Sequence, residues 1–154
     1  MNAVFILVIV ITALPRQTRA EEEKQIRSLL DAQAMAWNMG DLDGFMQGYW
    51  KSEKLTFISG GTLTRGWEPT RQRYVKRYQT EGKDKMGVLT FDEIEIELLC
   101  SDAATVRGRF ELVRGERKDW GRYTLILRKF PEGWRIVHDH TSVSEPQPKQ
   151  EVKK

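Results

Sequence analysis

The sequence is poor in the cysteine and histidine from which disulfide scaffolds and many metal sites are built, and it lacks a large excess of either charge. Cys100 is the only cysteine in 154 residues, which excludes an internal disulfide and a cysteine-rich metal site. His138 and His140 are the only histidines. On a strand they share one face while Asp139 turns to the other, so a metal pair lacks a third ligand, and neither a metal nor an organic cofactor is expected. Neither sign of charge dominates. Arg16 and Arg19 lie in the first twenty residues, so beyond them 23 basic side chains face 22 acidic ones, a net +1 that gives nucleic acid no bulk attraction. Gly60-Gly61 lacks the spacing of a phosphate loop, and Ser59 and Ser142 lack a nucleophile-elbow sequence.

Long apolar runs are also absent, apart from Ala3 to Leu14. That run has the length of a secretory signal, is too short for a bilayer span, and is followed by Pro15 and the small-residue pattern Thr18-Arg19-Ala20. No Lys or Arg precedes it, and a short membrane anchor is the alternative. The expectation is a signal over residues 1–20 cut after Ala20. It implies a secreted or periplasmic protein with no stable membrane span after processing. Residues 21–144 suffice for one buried domain, and residues 145–154, opening Glu145-Pro146-Gln147-Pro148, have no apolar period and read as a disordered tail.

Within the domain, helices come first and strands last. Ile26, Leu29, Leu30, Ala34 and Trp37 make one helical stripe, with Glu21 to Glu23 at the favoured end of the dipole and Gly40 as terminator. Asp41 is placed to cap a second helix, Leu42 to Tyr49. Leu55 to Ile58 and Thr62 to Arg65 read as strands around a Gly60-Gly61 turn, and Pro69 opens a third helix to about Thr80. From Val88 to Ser142 the period is two. Ile94, Ile96 and Leu98 alternate with Glu93, Glu95 and Glu97, while Leu89 and Phe91 sit on the opposite parity, which demands a bulge near Asp92-Glu93. A hairpin at Ser101-Asp102-Ala103 would set Glu97 against Arg107 and Glu95 against Arg109, with Tyr123, Leu125 and Leu127 inward. Phe130-Pro131-Glu132-Gly133 suits a type I turn with a glycine bulge. Pairing Phe130 with Trp134 would point Val137, Asp139 and Thr141 inward. Trp120, Ile126, Trp134 and Ile136 would then form an outer apolar patch large enough for a second subunit to cover. The fold class expected is α+β, a strongly curved antiparallel sheet wrapped against three N-terminal helices.

Ala36-Trp37-Asn38-Met39-Gly40-Asp41, Gly60-Gly61 with Arg65-Gly66, and Gly133-Trp134 through Asp139-His140-Thr141-Ser142 together carry a resemblance. In their order and spacing the chain resembles the nuclear transport factor 2-like superfamily, in particular its SnoaL-like, ketosteroid-isomerase-like branch and a related family of unknown function. His138-x-His140-x-Ser142 also resembles the association domain of calcium/calmodulin-dependent protein kinase II, which assembles subunits and is not an enzyme. The resemblance implies a cone-shaped fold, a pocket between sheet and helices, and frequent homodimers through the outer sheet face. The acid and tyrosine set of the isomerases has no residue-by-residue match here.

Two readings follow. In the first, the domain binds a small, partly apolar molecule without metal or cofactor. Asp139 and Tyr123 are then its polar catalytic candidates, His140 if the register slips, and Trp37, Tyr49, Phe57, Trp67, Tyr74, Tyr78 and Phe110 form an aromatic wall. The plain alternative for Asp139 is a buried acceptor satisfied by Thr141, a tyrosine or an arginine. In the second reading the domain is a non-catalytic association module. Arg71, Arg73, Lys76 and Arg77 read as a solvated helix face, and no nucleic-acid partner is expected.

Overall fold

The computed structural model describes residues 18–80, 82 and 86–144. Most of the expected signal and all of the expected tail lie outside the described residues. Helix α1 (Arg19–Asn38) begins in a capping box, in which Glu21 N–H donates to Thr18 Oγ1 and Thr18 N–H to Glu21 Oε2 at 2.7 Å. Its buried stripe is Ile26, Leu30, Gln33 and Trp37, with Leu29 and Ala34 only half-buried. Gln33 enters the core because its amide donates to Phe45 O at 2.9 Å. Glu22 also turns inward, accepting from Trp134 Nε1 at 2.8 Å and Lys129 Nζ at 2.6 Å.

Gly40 takes the left-handed conformation (φ 70°) that ends α1, and the Asp41 carboxylate caps α2 (Leu42–Met46). Helix α2 is shorter than expected because the chain beyond it turns to run beside the last strand. There Ile136 N–H donates to Gly48 O, and Trp50 N–H to Ile136 O, each at 2.9 Å. Strand β1 (Thr56–Ser59), one residue later than its expected start, pairs with β2 (Thr62–Arg65) around Gly60 and Gly61. The two glycines have φ of 56° and 73°, as a tight hairpin turn requires. Helix α3 (Trp67–Tyr74) starts two residues before Pro69 and widens into a π-helical turn over Val75–Gln79.

Strands β3 (Val88–Leu98), β4 (Ala103–Arg114), β5 (Arg117–Phe130) and β6 (Gly133–Val143) complete an open six-stranded sheet in the order β2-β1-β6-β5-β4-β3. It is not wholly antiparallel, since β1 runs parallel to β6. The chain already lies alongside β6 at Tyr49 and Ile136, and β1 continues in that direction. Side chains of α1 reach the free side of β3. Arg19 donates to Leu98 O, Arg27 to Ile94 O, and the Asn38 amide both donates to Leu89 O and accepts from Leu89 N.

The bulge expected in β3 is present, with the register shifting between Asp92 and Glu95 and Glu93 at φ 50°. Beyond it Glu95 pairs with Arg107 and Ile96 with Val106, two residues from the expected alignment. Asp102 causes the slip. Its carboxylate takes Arg128 and its carbonyl takes Lys129 N, which holds it against β5 instead of at a turn tip. An even slip leaves the inward set unchanged, so Tyr123, Leu125 and Leu127 are buried.

The β5–β6 hairpin departs further from expectation. Phe130 pairs with Gly133 and Lys129 with Trp134, and the register then shifts where Ile126 faces His138 and Leu127 faces Ile136, leaving Val137 as the extra residue. Trp134 and Ile136 therefore point into the core, at 3% and 1% exposure, and not into an outer patch. The bulge then restores the phase that turns Asp139 inward. On the outer face Trp120 and Ile126 remain, beside ion pairs such as Arg107 with Glu95 and Arg109 with Asp92 and Glu111.

Candidate functional site

Between the helices and the inner face of the sheet lies a cavity of about 90 Å³. Its wall is aromatic, with Trp37 from α1, Tyr49 from the segment after α2, Phe57 from β1, Tyr74 and Tyr78 from α3 and its π-helical extension, and Phe110 and Tyr123 from the sheet. Tyr74 is the hub. Its ring stacks on Phe57 and Tyr78 at centroid distances of 5.2 and 5.9 Å and meets Trp37 and Phe45 edge-on. Among the described residues that line the cavity, Asp139 is the only carboxylate and Arg73 and Arg77 are the only cations.

Asp139 reaches the wall because of the Val137 bulge, and Tyr49 reaches Asp139 because Gly48 and Trp50 bond the backbone of Ile136. The Tyr49 hydroxyl donates to Asp139 Oδ2 and the Thr141 hydroxyl to Oδ1, each at 2.7 Å. Tyr74 Oη lies 3.4 Å from Tyr49 Oη, extending the chain of hydroxyls. No Arg, Lys or His among the described residues hydrogen-bonds the carboxylate. Loss of water therefore dominates and pushes the Asp139 carboxyl up from 3.8 to about 6, against the downward pull of the two hydroxyls and, less, of the charge on His140. Burial and the neighbouring carboxylate likewise hold the Tyr49 and Tyr74 phenols well above their ordinary value.

Tyr123 does not join this group by any hydrogen bond. Its ring crosses Gly108, where an added Cβ would stand 2.3 Å from Tyr123 Oη, and packs edge-on against Phe91. Its hydroxyl and the Trp37 indole N–H are both buried without a partner. Trp67, expected in the wall, lies outside the cavity; its indole donates to Met46 O and Lys51 lies over its ring. His140 lies outside it too. It is exposed on the opposite face of β6, a face it shares with the half-buried His138, whose Nδ1 is 2.6 Å from Thr56 Oγ1.

Arg73, Arg77 and Ser59 were not expected in the wall. Arg73 ties α3 to the β1–β2 hairpin through Ser59 O, Thr62 O and Thr64 Oγ1 and lies 4.9 Å from the Phe57 ring centre. Their sequence signal is slight: arginines flanking tyrosines at i and i+4 can belong to the inner face as well as the outer. A single carboxylate among phenols, with no imidazole and no second acid, is a donor set suited to a proton or a hydrogen-bonding ligand.

Comparison with known proteins agrees with this architecture. The SnoaL-like domain family matches residues 26–146. The chain belongs to that family. A crystal structure of an NTF-2-like protein of unknown function from Shewanella oneidensis MR-1 is 42% identical and superposes with a TM-score of 0.74, covering 78% of this chain and 98% of that one. A ketosteroid isomerase-like protein from Erwinia carotovora atroseptica SCRI1043 shares 20% identity at a TM-score of 0.66, over 82% of this chain and 98% of that one. A nuclear transport factor 2-like superfamily protein from Salmonella enterica serovar Typhimurium LT2 shares 22% at 0.66, over 89% and 99%. These last two speak for the fold alone. No curated protein matches the chain. The SnoaL-like domain thus has the α+β, nuclear transport factor 2-like fold, with the Asp139 and Tyr49 pair set in the cavity wall.

Proposed function

We propose that this SnoaL-like domain binds a small, partly apolar molecule in the cavity and that Asp139 exchanges a proton with it, without a cofactor. One observation carries the reading: a fully buried carboxylate, held by two neutral hydroxyls and no cation, in an aromatic wall. Such a group is poised near neutrality. As carboxylate it accepts a proton from an acidic C–H or O–H of the ligand, and as the acid it returns that proton to another atom of the same molecule.

The reaction can be sought before any substrate is identified. The protein is incubated in D2O with a metabolite panel, and mass spectrometry reads the gain of deuterium on carbon. Incorporation by the wild type that Asp139→Asn abolishes, with the variant folded, is the expected result. A ligand that binds and never exchanges leaves binding without proton transfer.

Export and homodimerisation are proposed with it. Export is supported by the apolar run before Pro15. A cut after Ala20 would leave α1 without its Thr18 cap, and the N-terminus of secreted material tests it. Dimerisation would use the outer sheet face around Trp120 and Ile126, 37% and 38% exposed. The association-module reading, which used the strand face bearing Trp120, Trp134 and His138, loses Trp134 to the core.

A further inference from the structure

Three features of the cavity remain unused by proton exchange at Asp139. The first is Arg77, which lines the cavity, is exposed, and has no hydrogen bond or ion pair among the described residues; its one contact is with the Tyr78 ring, 5.5 Å from its centre. The neighbouring guanidinium groups are occupied, Arg73 by Ser59 O, Thr62 O and Thr64 Oγ1, and Arg114, on the Tyr78 ring, by Asp119. The second is the pair of buried, unpartnered polar atoms on lining residues, Trp37 Nε1 and Tyr123 Oη. The third is size. An apolar cavity of about 150 Å³ holds one benzene, whereas this one offers about 90 Å³.

We infer that the ligand is a small hydroxy acid with an aromatic or similarly flat apolar body. Its carboxylate pairs with Arg77 at the rim and its hydroxyl donates to Asp139 within. The inference rests on the small-molecule reading above. Charge decides the orientation. A second carboxylate beside Asp139 would place like charges together in a site stripped of water, while Arg77 supplies a solvated cation with no ion pair among the described residues. Hydrogen-bond capacity decides the inner group. Each Asp139 oxygen accepts one hydroxyl and keeps a free lone pair, so a donor is what it lacks. Volume decides the length, since a one-ring acid exceeds the enclosed space and must end outside it.

The experiment titrates the full-length protein at pH 7.5 with 4-hydroxybenzoate, its methyl ester and benzoate, using the wild type, Arg77→Gln and Arg77→Lys. Wild type is expected to bind the acid about ten-fold or more tightly than the ester, as a charge-assisted pair implies. Arg77→Gln should bring acid and ester to within roughly two-fold while leaving the ester's affinity and the melting temperature unchanged, and Arg77→Lys should restore part of the gap. Benzoate should bind more weakly than 4-hydroxybenzoate. Equal binding of acid and ester by the wild type, or equal weakening of both by Arg77→Gln, overturns the role of Arg77 and leaves the cavity reading standing. Benzoate binding as well as 4-hydroxybenzoate overturns the hydroxyl contact. If none of the three binds, the hydroxy-acid inference falls, and the small-molecule reading is decided by the deuterium-exchange panel.

Discussion

A carboxyl group that loses its water on folding and gains only neutral donors holds its proton more tightly in the folded chain than in the unfolded one. For Asp139 the ordinary value is 3.8 and the folded one about 6. Below 3.8 both states are protonated and the fold's preference for the neutral form is fully present; as pH rises through 6 that contribution is lost. The difference amounts to about 3 kcal/mol. Asp139→Asn, which stays neutral throughout, should therefore gain stability relative to the wild type between pH 4 and pH 7.5, by a change of that order in urea denaturation. A flat difference would show the carboxyl to be solvated. Tyr49→Phe, which strips the charged form of a donor, is expected to cost about 2 kcal/mol at pH 7.5 and less at pH 4. Tyr123→Phe, removing a buried hydroxyl without a partner, should cost nothing measurable and can stabilise. The inward turn of Asp139 was reached from a hairpin register one residue off, and it holds because the Val137 bulge, not read in the sequence, offsets that slip. That Thr141 and a tyrosine would hold the carboxylate was legible; which tyrosine was not, because Tyr49 lies 90 positions earlier, at the end of an expected helix, whereas Tyr123 had the right parity on the right face.

Among the elements, the bulge in β3 could be read because Leu89 and Phe91 conflict in parity with Ile94, and only an inserted residue reconciles them. The bulge at Val137 offered no such conflict, since an outer patch containing Trp134 and Ile136 was chemically acceptable. What draws Trp134 inward is Glu22, one of three consecutive glutamates whose common charge at the helix start concealed that one of them faces the core. Glu22→Ala would leave the Trp134 indole N–H buried without an acceptor and remove the ion pair with Lys129. It is expected to lower stability by about 2 kcal/mol and to quench or shift tryptophan fluorescence, both readable in one denaturation series. The end of α1 was legible from Gly40, whereas its start was read two residues late, because Thr18 was assigned to a cleavage pattern and not to the cap. The reading of length failed at α2, where the chain leaves the helix to pair with a strand far along the sequence.

For the whole molecule, the order of helices and strands and the inner set of β5 were legible, while the faces of Trp134 and Ile136 and the parallel seam between β1 and β6 were not, the seam because it depends on where a short segment after α2 comes to rest. A homodimer through the outer face predicts twice the chain mass of 18.0 kDa in sedimentation at micromolar concentration, and Ile126→Glu should return it to one. A monomer in the wild type would remove that proposal. The side chains that α1 sends to β3 limit the other ways in which copies could meet. Arg27 and Asn38, both beyond the proposed cut, occupy the outward groups of Ile94 and Leu89, so an invading strand finds part of the hydrogen-bonding rim of that side taken. The opposite rim belongs to β2, only four residues long. Growth by cross-strand templating, the usual path from exposed sheet to fibril, would first have to peel away the N-terminal helix.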